Sequence, residues 1–589
     1  MHSPLLTRRA FLGGLSLSTL ALASIYRTIH PPRTPAASPV PAEDGDAIEI
    51  PPSPPPLRVV SADPDDAAAT AAARALRDFL GERLPDRPIL YGAGDEDAPR
   101  VTVGAVAGSV GYPRQRVTQY LAPVTNWRLP LRYLEPAELA GVLSGRFADW
   151  SQVGCATPGA IERLDFGPAG AVAVPGVERL IAPAARCDDY EALVCGLEEH
   201  PNGVALAPLG AIDFRVQALA IGDLDPLAGR GDPASYPLQR ELWLGWDAAL
   251  GDGFREIVAE FAARQALALD GAPPGNPINV TIAGDIIFGR TVHSRMVRYG
   301  DWAHPLRAVA PRLSSADLTI ADLECSISDN TEKPADPFTY LFTSDSAAVT
   351  GLDLAGVDGV SLANNHSMNF GKLGLTDTMT VLAQHRIKHF GAGLNLAEAR
   401  RPGIFEVKGT RIAFLGYDGI TPDEYGARAA RPGTCPLDAD LLVEDIAAAR
   451  AAGVDLVIPF FHWSEEYVAV PSAAMRRIAH LAIDRGAGLV VGSHPHWVQG
   501  AEWYKGAPIL YSLGNFVFDQ DWSDETKQGM FSEIVLRAAR PVRVRLVPVL
   551  IEDLNRPRIL DVVEGLPVLR RVYAATDAIA AMGLAGADV

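Results

Sequence analysis

From Asn276 to Asp519 the chain repeats one arrangement: a short continuous apolar run, then at once a polar residue able to ligate a metal. The run INVTIA ends at Gly284-Asp285, LTIA at Asp322-Leu323-Glu324, and GVSLA at Asn364-Asn365-His366. Further on, DLVIPFF ends at His462-Trp463, AGLVV leads through Gly492-Ser493 to His494-Pro495-His496, and PILYSL ends at Gly514-Asn515. Apolar runs of this length without alternation read as strands buried on both faces, with the helical stretches between them covering the sheet. In such α/β sheets, functional groups collect in the loops at the carboxyl ends of the strands. Any one polar exit is explained as well by turn chemistry, because Asp, Asn and Gly favour turns. Their succession is different. Asp, Glu, Asn, His and His-x-His together offer the imidazole nitrogens and carboxylate or amide oxygens that divalent cations take as ligands. In extended backbone His494 and His496 lie two apart and face a common point.

Upstream, Leu57 to Leu269 mixes Ala-rich helical segments (DDAAATAAARALRDFLGERL) with short apolar strands (RVTVGAVAG, GAVAVPG, GVALAPLGAI), a second α/β pattern. This unit holds no cluster of His, Cys or paired carboxylates. The break DGAPPGNP at Asp270 to Pro277 separates it from the second unit, 276–575, which is expected to fold without it; 576–589 reads as a tail. Residues 31–56 are dense in proline and read as an extended spacer. Before them, TRRAFLGG sets Arg8 and Arg9 ahead of the apolar stretch Phe11 to Ile25, with ALA at 21–23 as a candidate cleavage site. Residues 1–30 thus resemble a twin-arginine export signal or a membrane anchor. They place the mature protein in the cell envelope, periplasmic or on the outer face of the cytoplasmic membrane, and membrane-associated if the signal stays uncleaved.

Composition narrows the function classes. With 589 residues, 48% hydrophobic and 21% charged, the chain is long enough for two or three folded units of ordinary globular type. Its net charge of −19 argues against a nucleic-acid partner, although cations in a site still permit an anionic substrate. The scattered Cys155, Cys187, Cys195, Cys325 and Cys435 form no C-x-x-C pair and leave a single disulfide, Cys187 to Cys195, open. His293, His304, His385 and His389 lack the strand-end placement and read as surface or satisfied-core residues. Trp463, Trp497 and Trp503 cluster near the ligand-type positions in sequence and read as packing over the site, with a polymer groove as the alternative.

The ordered stretches AGDIIFGR, ADLECSIS, GVSLANNHSMNFG, GAGLNLAEARRP, FFHWSEEY and VVGSHPHWVQGAEWYKGAPILYSLGNFVFDQ resemble the calcineurin-like metallophosphoesterase fold, and most closely its CapA branch of capsule synthesis proteins linked to poly-γ-glutamate. That resemblance implies a β-sandwich flanked by helices and two divalent metal ions, Mn, Fe or Zn. It places Asp285, Glu324 and His496 at a first site, with Glu324 bridging to Asn365, His462 and His494 at a second. His366 then stands near a leaving group, and the ions promote attack of water at phosphorus or carbonyl. Asp322, Asn364, Glu466 and Asn515 are secondary candidates. Where the phosphoesterases carry Asp-x-His, Asp285 is followed by Ile286 and Ile287, and Asp322, Asn369 and Ser464 also depart from the CapA pattern. Within the first unit, LEPAELAGVLSGRFADWSQVG and NGVALAPLGAIDFRVQALAIG resemble periplasmic phosphate-binding-type proteins, which implies a smaller solute-binding-like α/β domain, although a Ser/Thr/Gly-rich phosphate loop is not evident. The expected function is synthesis or export of an anionic cell-surface polymer, with the polymer or a phosphoester as substrate and a capsule-synthesis membrane complex as partner. An envelope metal-dependent phosphoesterase or amide hydrolase, and a solute-binding scaffold with a structural metal site, remain as alternatives.

Overall fold

The apolar runs of the second unit become strands that pair side by side. The computed structural model describes residues 57–583 apart from 62–66, 86–88, 93–99, 105–113, 170–172, 252, 266, 270–275, 335 and 337; the export signal and most of the DGAPPGNP break lie outside the described residues. Strand β1 (Ile278–Ile286) runs parallel to β2 (Leu318–Leu323), which runs parallel to β3 (Gly359–Ser361), with Ile282 opposite Ile320 and Asp285 opposite Asp322. A separate sheet carries β4 (Thr410–Asp418), β5 (Leu456–His462) and β6 (Val490–Ser493), again parallel, with His462 opposite Ser493. On its other side β1 pairs antiparallel with β7 (Gln528–Arg537), which continues into β8 (Arg540–Glu552).

The two sheets pack face to face. Val280, Ile282 and Ile320 of the first share a core with Phe414, Ile458, Phe460 and Val491 of the second. The outer face of the first sheet is covered by helices Arg290–Tyr299 and Gly371–Gln384, which bring Val292 and Leu375 into a second core. Helices Ala439–Ala451 and Ala473–Asp484 cover the other sheet with Leu442, Ile446 and Ala479. Because both faces of each sheet are buried, the strands read as unbroken apolar runs. The result is the expected α/β sandwich flanked by helices.

The amino-terminal lobe is α/β as well. Its long strand Arg114–Asn126 pairs with Gln239–Trp246 through its first half and with Gly203–Pro208 through its second, so one sheet serves two cores. One is centred on Val59, Leu76 and Phe261, the other on Leu121, Trp150 and Leu197. Two sequence expectations are corrected here. Cys187 and Cys195 are both free, Cys187 buried in a strand and Cys195 exposed on the following helix. The segment from 576 is no tail: helix Val562–Met582 runs through it, because Val568, Val572, Ala575 and Ile579 fall on one helical face and are buried.

The lobes meet through aromatic and ionic contacts. Trp127 packs edge-on against Trp503 and Tyr573, and Phe214 packs on Trp503. Trp503 is therefore a lobe-contact residue and not a cover for the ligand-type histidines. Arg537 of β7 donates to the carbonyls of Pro226 and Leu227, and Arg543 of β8 donates to Asp225 at 2.8 Å, which Arg230 also contacts at 2.8 Å. Burial opposes the charge on Asp225, but Arg543 and Arg230 overcome it and hold the carboxyl well below the usual carboxylate range. A depressed carboxyl contributes its stability above its unfolded pKa and loses it as pH falls, so this contribution is full at neutral pH. Asp225→Ala strands a buried guanidinium and should cost about 3–5 kcal/mol at pH 7, with the difference from wild type shrinking in acid. Removing the exposed partner Glu241 of Arg116 should cost under about 1 kcal/mol. Denaturant melts of both variants check this; equal losses would contradict it.

Candidate metal centre

The loops at the carboxyl ends of the strands converge where the two sheets meet. Asp285 sits near the end of β1, Glu324 follows β2, Asn364, Asn365 and His366 follow β3, His462 closes β5, and His494 and His496 follow β6. The strands approach this closely because of two glycines. A Cβ on Gly284 would stand 2.1 Å from the carbonyl oxygen of Gly514, and one on Gly492 would stand 2.1 Å from that of Tyr511. The backbone at the histidine pair is not extended as the spacing suggested: β6 stops at Ser493, and His494 and His496 take φ of 94° and 58°. Non-glycine residues held at positive φ cost on the order of 1–3 kcal/mol, and such strain gathers at functional sites. The two imidazoles thus turn around Pro495 to bring their ring centres 5.7 Å apart.

The polar groups are buried and incompletely satisfied. Asp285, Glu324 and His462 are wholly buried, and His494 and His496 nearly so. Nε2 of His462 lies 2.8 Å from Oδ1 of Asn365 and 3.1 Å from Nδ1 of His494. Oε1 of Glu324 lies 3.6 Å from Nε2 of His462 and 3.7 Å from Nε2 of His366, between the two halves of the cluster. Asp285 Oδ2 lies 3.6 Å from Nδ1 of His496 and accepts the backbone N–H of His494 at 3.3 Å. Yet Asp285 Oδ1 and both carboxylate oxygens of Glu324 have no hydrogen-bond partner. Buried carboxylate oxygens left this way are costly unless a proton or a cation meets them. The donor set fits divalent cations: the ligand atoms of Glu324, His494 and His496 lie within 4.8 Å of one another, as do those of Asp285, Asp322 and His462.

Three of the secondary candidates hold the others in place. Asp322 accepts from Nδ1 of His462 at 2.9 Å, Ser493 Oγ lies 3.0 Å from the same nitrogen, and Asn364 donates to Asp322 at 3.0 Å. Asn515 Oδ1 accepts from His496 Nδ1 at 2.9 Å while its amide nitrogen is anchored on Gln520 and the Thr526 carbonyl. These are carboxylate–histidine and amide–histidine supports of the kind that fix a ligand ring and leave its other nitrogen facing inward. Glu466 stays exposed at the mouth, close enough to act electrostatically on Glu324. Burial, with Asp285, Asp322 and Glu466 adding to it, holds the Glu324 carboxyl well above its ordinary range. Burial opposes charge on His462, and Asp322 outweighs it and raises the ring. Burial and His462 push His494 well down.

Sequence reasoning missed Arg290 and underrated Asn369. Arg290, the last residue of AGDIIFGR, is almost fully buried, pairs with Asp519, and lies with its guanidinium carbon 4.5 Å from the Phe342 ring centre. Its Nε has no partner, and its charge reaches Glu324 and His366. The signal was an arginine five residues after Asp285, which no periodicity argument weights. Asn369 Oδ1 accepts both the Phe342 N–H at 3.0 Å and Nδ1 of His366 at 2.9 Å. Of the histidines set aside, His293 contacts Ser344, His304 packs on Tyr299 and His385 pairs with Asp353, all apart from the cluster.

With this geometry in hand, His494→Ala combined with His496→Ala should strip metal from the purified protein. Asp322→Asn should weaken its retention about 10–100-fold while leaving the fold intact. Elemental analysis after dialysis against graded chelator checks both, and undiminished metal in the double variant would contradict the site.

The sequence model described as bacterial capsule synthesis protein matches residues 279–520. The capsule biosynthesis protein CapA of Bacillus anthracis is 32% identical over 282 residues, spanning 47% of this chain and 68% of that protein. The PGA biosynthesis protein CapA of Bacillus subtilis (strain 168) is 30% identical over 278 residues, spanning 47% of this chain and 72% of that one. Among solved structures, a 5'-nucleotidase precursor from Thermus thermophilus aligns over 52% of this chain and 59% of its own with 12% identity and a TM-score of 0.31. An ABC-type phosphate transport receptor from Vibrio cholerae aligns over 35% of this chain and 93% of its own with 15% identity and a TM-score of 0.25. Structural similarity at that level identifies neither lobe. The sequence matches do identify one: the chain belongs to the bacterial capsule synthesis (CapA) family.

Proposed function

We propose that this protein works outside the cytoplasm in the synthesis or export of an anionic polymer of the poly-γ-glutamate type, at a centre that holds two divalent cations. The observation that carries this reading is the set of three unpartnered, buried carboxylate oxygens on Asp285 and Glu324 facing His462, His494 and His496, in a chain of the capsule synthesis family. Asp285, Glu324, Asn365, His462, His494 and His496 would hold the cations, which when bound supply positive charge and a polarised water for displacement at a phosphorus or carbonyl centre.

The chain's own residues define what surrounds that chemistry. Asn369 Oδ1 takes the Phe342 N–H, so it is an acceptor, and His366 must therefore donate from Nδ1 and present Nε2 to the centre. Burial keeps the ring neutral, with its pKa pushed down to about 3, and stacking on Phe342 at 3.9 Å fixes its plane. A neutral imidazole oriented this way points its free nitrogen toward Glu324, in keeping with the place near a leaving group that the family resemblance implies for His366. Arg290 contributes a fixed positive charge beside Glu324. Beside the centre, Tyr467 packs against His496 and against Trp522, which is 61% exposed, a non-polar surface that suits the methylene segments of an extended chain. Among the described residues no helix is long and apolar enough to cross a membrane.

Cells lacking the protein test the reading by complementation. Wild type should restore surface polymer, whereas His366→Ala should keep its metal, reach the envelope and lower polymer output, with a purified-protein rate about 10²–10⁴-fold below wild type on a model phosphodiester or on poly-γ-glutamate. Full polymer from a metal-free His494→Ala, His496→Ala strain would favour a scaffold. Phosphodiester cleavage that His366→Ala abolishes without changing polymer would favour an envelope hydrolase.

A further inference from the structure

A cleft of about 410 Å³ opens where the amino-terminal lobe meets the first sheet, away from the metal centre. One wall is the short parallel pair Tyr133–Leu134 and Ala220–Ile221, which places Arg132 and Gly222 on the cleft. The opposite wall offers Arg312 and Arg545, and Arg230 closes the rim. Four guanidinium groups converging on one cleft are unusual in a chain with a net charge of −19.

The carboxylates nearby are already used. Glu533 receives Arg312 at both its oxygens, one at 2.9 Å, and stands 3.9 Å from Arg545. Asp225 is shared by Arg230 and Arg543. Glu135 and Asp223 line the mouth but are exposed to water. Two positive groups are left wanting. The Arg545 side chain is 10% exposed, and its Nε is buried without a hydrogen-bond partner. Arg132 makes no side-chain hydrogen bond among the described residues and is half-buried. Burial, with Arg543 and Arg132 adding repulsion that Glu533 offsets only in part, pushes the Arg545 guanidinium down to about 9, and burial outweighs Glu533 to lower Arg132 as well. One carboxylate, Glu533, thus serves three guanidinium groups, Arg132, Arg312 and Arg545, and an excess of buried like charge is costly unless a further anion is added.

We propose that this cleft is a binding site for a phosphate-class dianion, held between Arg132 of the amino-terminal lobe and Arg312 and Arg545 of the sandwich. Guanidinium forks match the oxygen spacing of a phosphoryl group and bind it bidentately. A singly charged carboxylate would answer one arginine and leave the other bare, so the double charge is the better match. Because its walls come from both lobes, occupancy joins them. The site also connects to the centre through one strand: Glu533 lies opposite Thr281 of β1, four residues or roughly 13 Å before Asp285.

Titration calorimetry of the full-length protein with orthophosphate, and separately with glycerol phosphate, tests this against Arg132→Gln. That substitution removes no hydrogen bond and should leave metal content unchanged, and Arg230→Gln serves as a second variant from the exposed rim. Wild type should bind saturably and melt at a higher temperature with ligand, and Arg132→Gln should bind at least about tenfold more weakly and lose the shift in melting. Binding of orthophosphate alone identifies the free ion, and equal binding of the ester identifies a phosphoryl terminus; both support the site. No phosphate binding, binding unchanged in both variants, or Arg132-dependent binding of poly-γ-glutamate without phosphate binding would overturn it.

Discussion

Two buried carboxylates, Asp285 and Glu324, dominate the energetics of the sandwich lobe. Three of their oxygens face protein with no donor, and the imidazoles of His462, His494 and His496 stand beside them. The surrounding hydrogen bonds leave these oxygens unpaired, a cost that a bound cation or a proton would relieve. The rest of the lobe follows from holding them there. Parallel strands in both sheets deliver their carboxyl ends to one crevice, Gly284 and Gly492 let the backbones close on it, and Asp322 and Asn515 lock the ligand rings. Even the strained backbone at His494 and His496 belongs to this demand, since an extended course past Ser493 would not wrap the rings around the crevice.

Much of this was legible in the residues. Strands buried on both faces leave an unmistakable mark, an unbroken apolar run with a polar stop, and the stops name the donors in order. What the sequence could not show is which polar residue faces the crevice and which stands behind it. Asp322 and Glu324 are two apart in a continuous stretch, and only the fold reveals that Asp322 turns to His462 while Glu324 remains unpartnered. The His-x-His spacing was read through strand geometry and failed because the strand ends one residue early. Arg290 carries no periodic signal at all. Trp503 illustrates the reverse error: near the histidines in sequence, it packs instead against Trp127 and Phe214 of the other lobe.

The amino-terminal lobe was legible in class and not in connection. Its alternating helices and strands announce α/β, but ion pairs between residues as distant as Asp225 and Arg543 have no local signature. That contact changes the picture of a hinge followed by an independent unit. A chain beginning at Asn276 would expose Trp503 and Tyr573 and leave Arg543 without its carboxylate. The lobes are therefore coupled by buried charge, and the arginines of the cleft extend that coupling to any anion bound there.

The central claim is that the crevice between the sheets is completed by cations at these carboxylates and histidines. Anomalous diffraction from crystals of the protein, recorded on both sides of the manganese, iron and zinc absorption edges, tests it most directly. Two anomalous peaks within ligand distance of Glu324, one beside Asp285 and His496 and the other beside Asn365, His462 and His494, are the expected result. Well-ordered crystals grown with metal that show no peak in the crevice, or peaks only elsewhere on the molecule, would contradict the account.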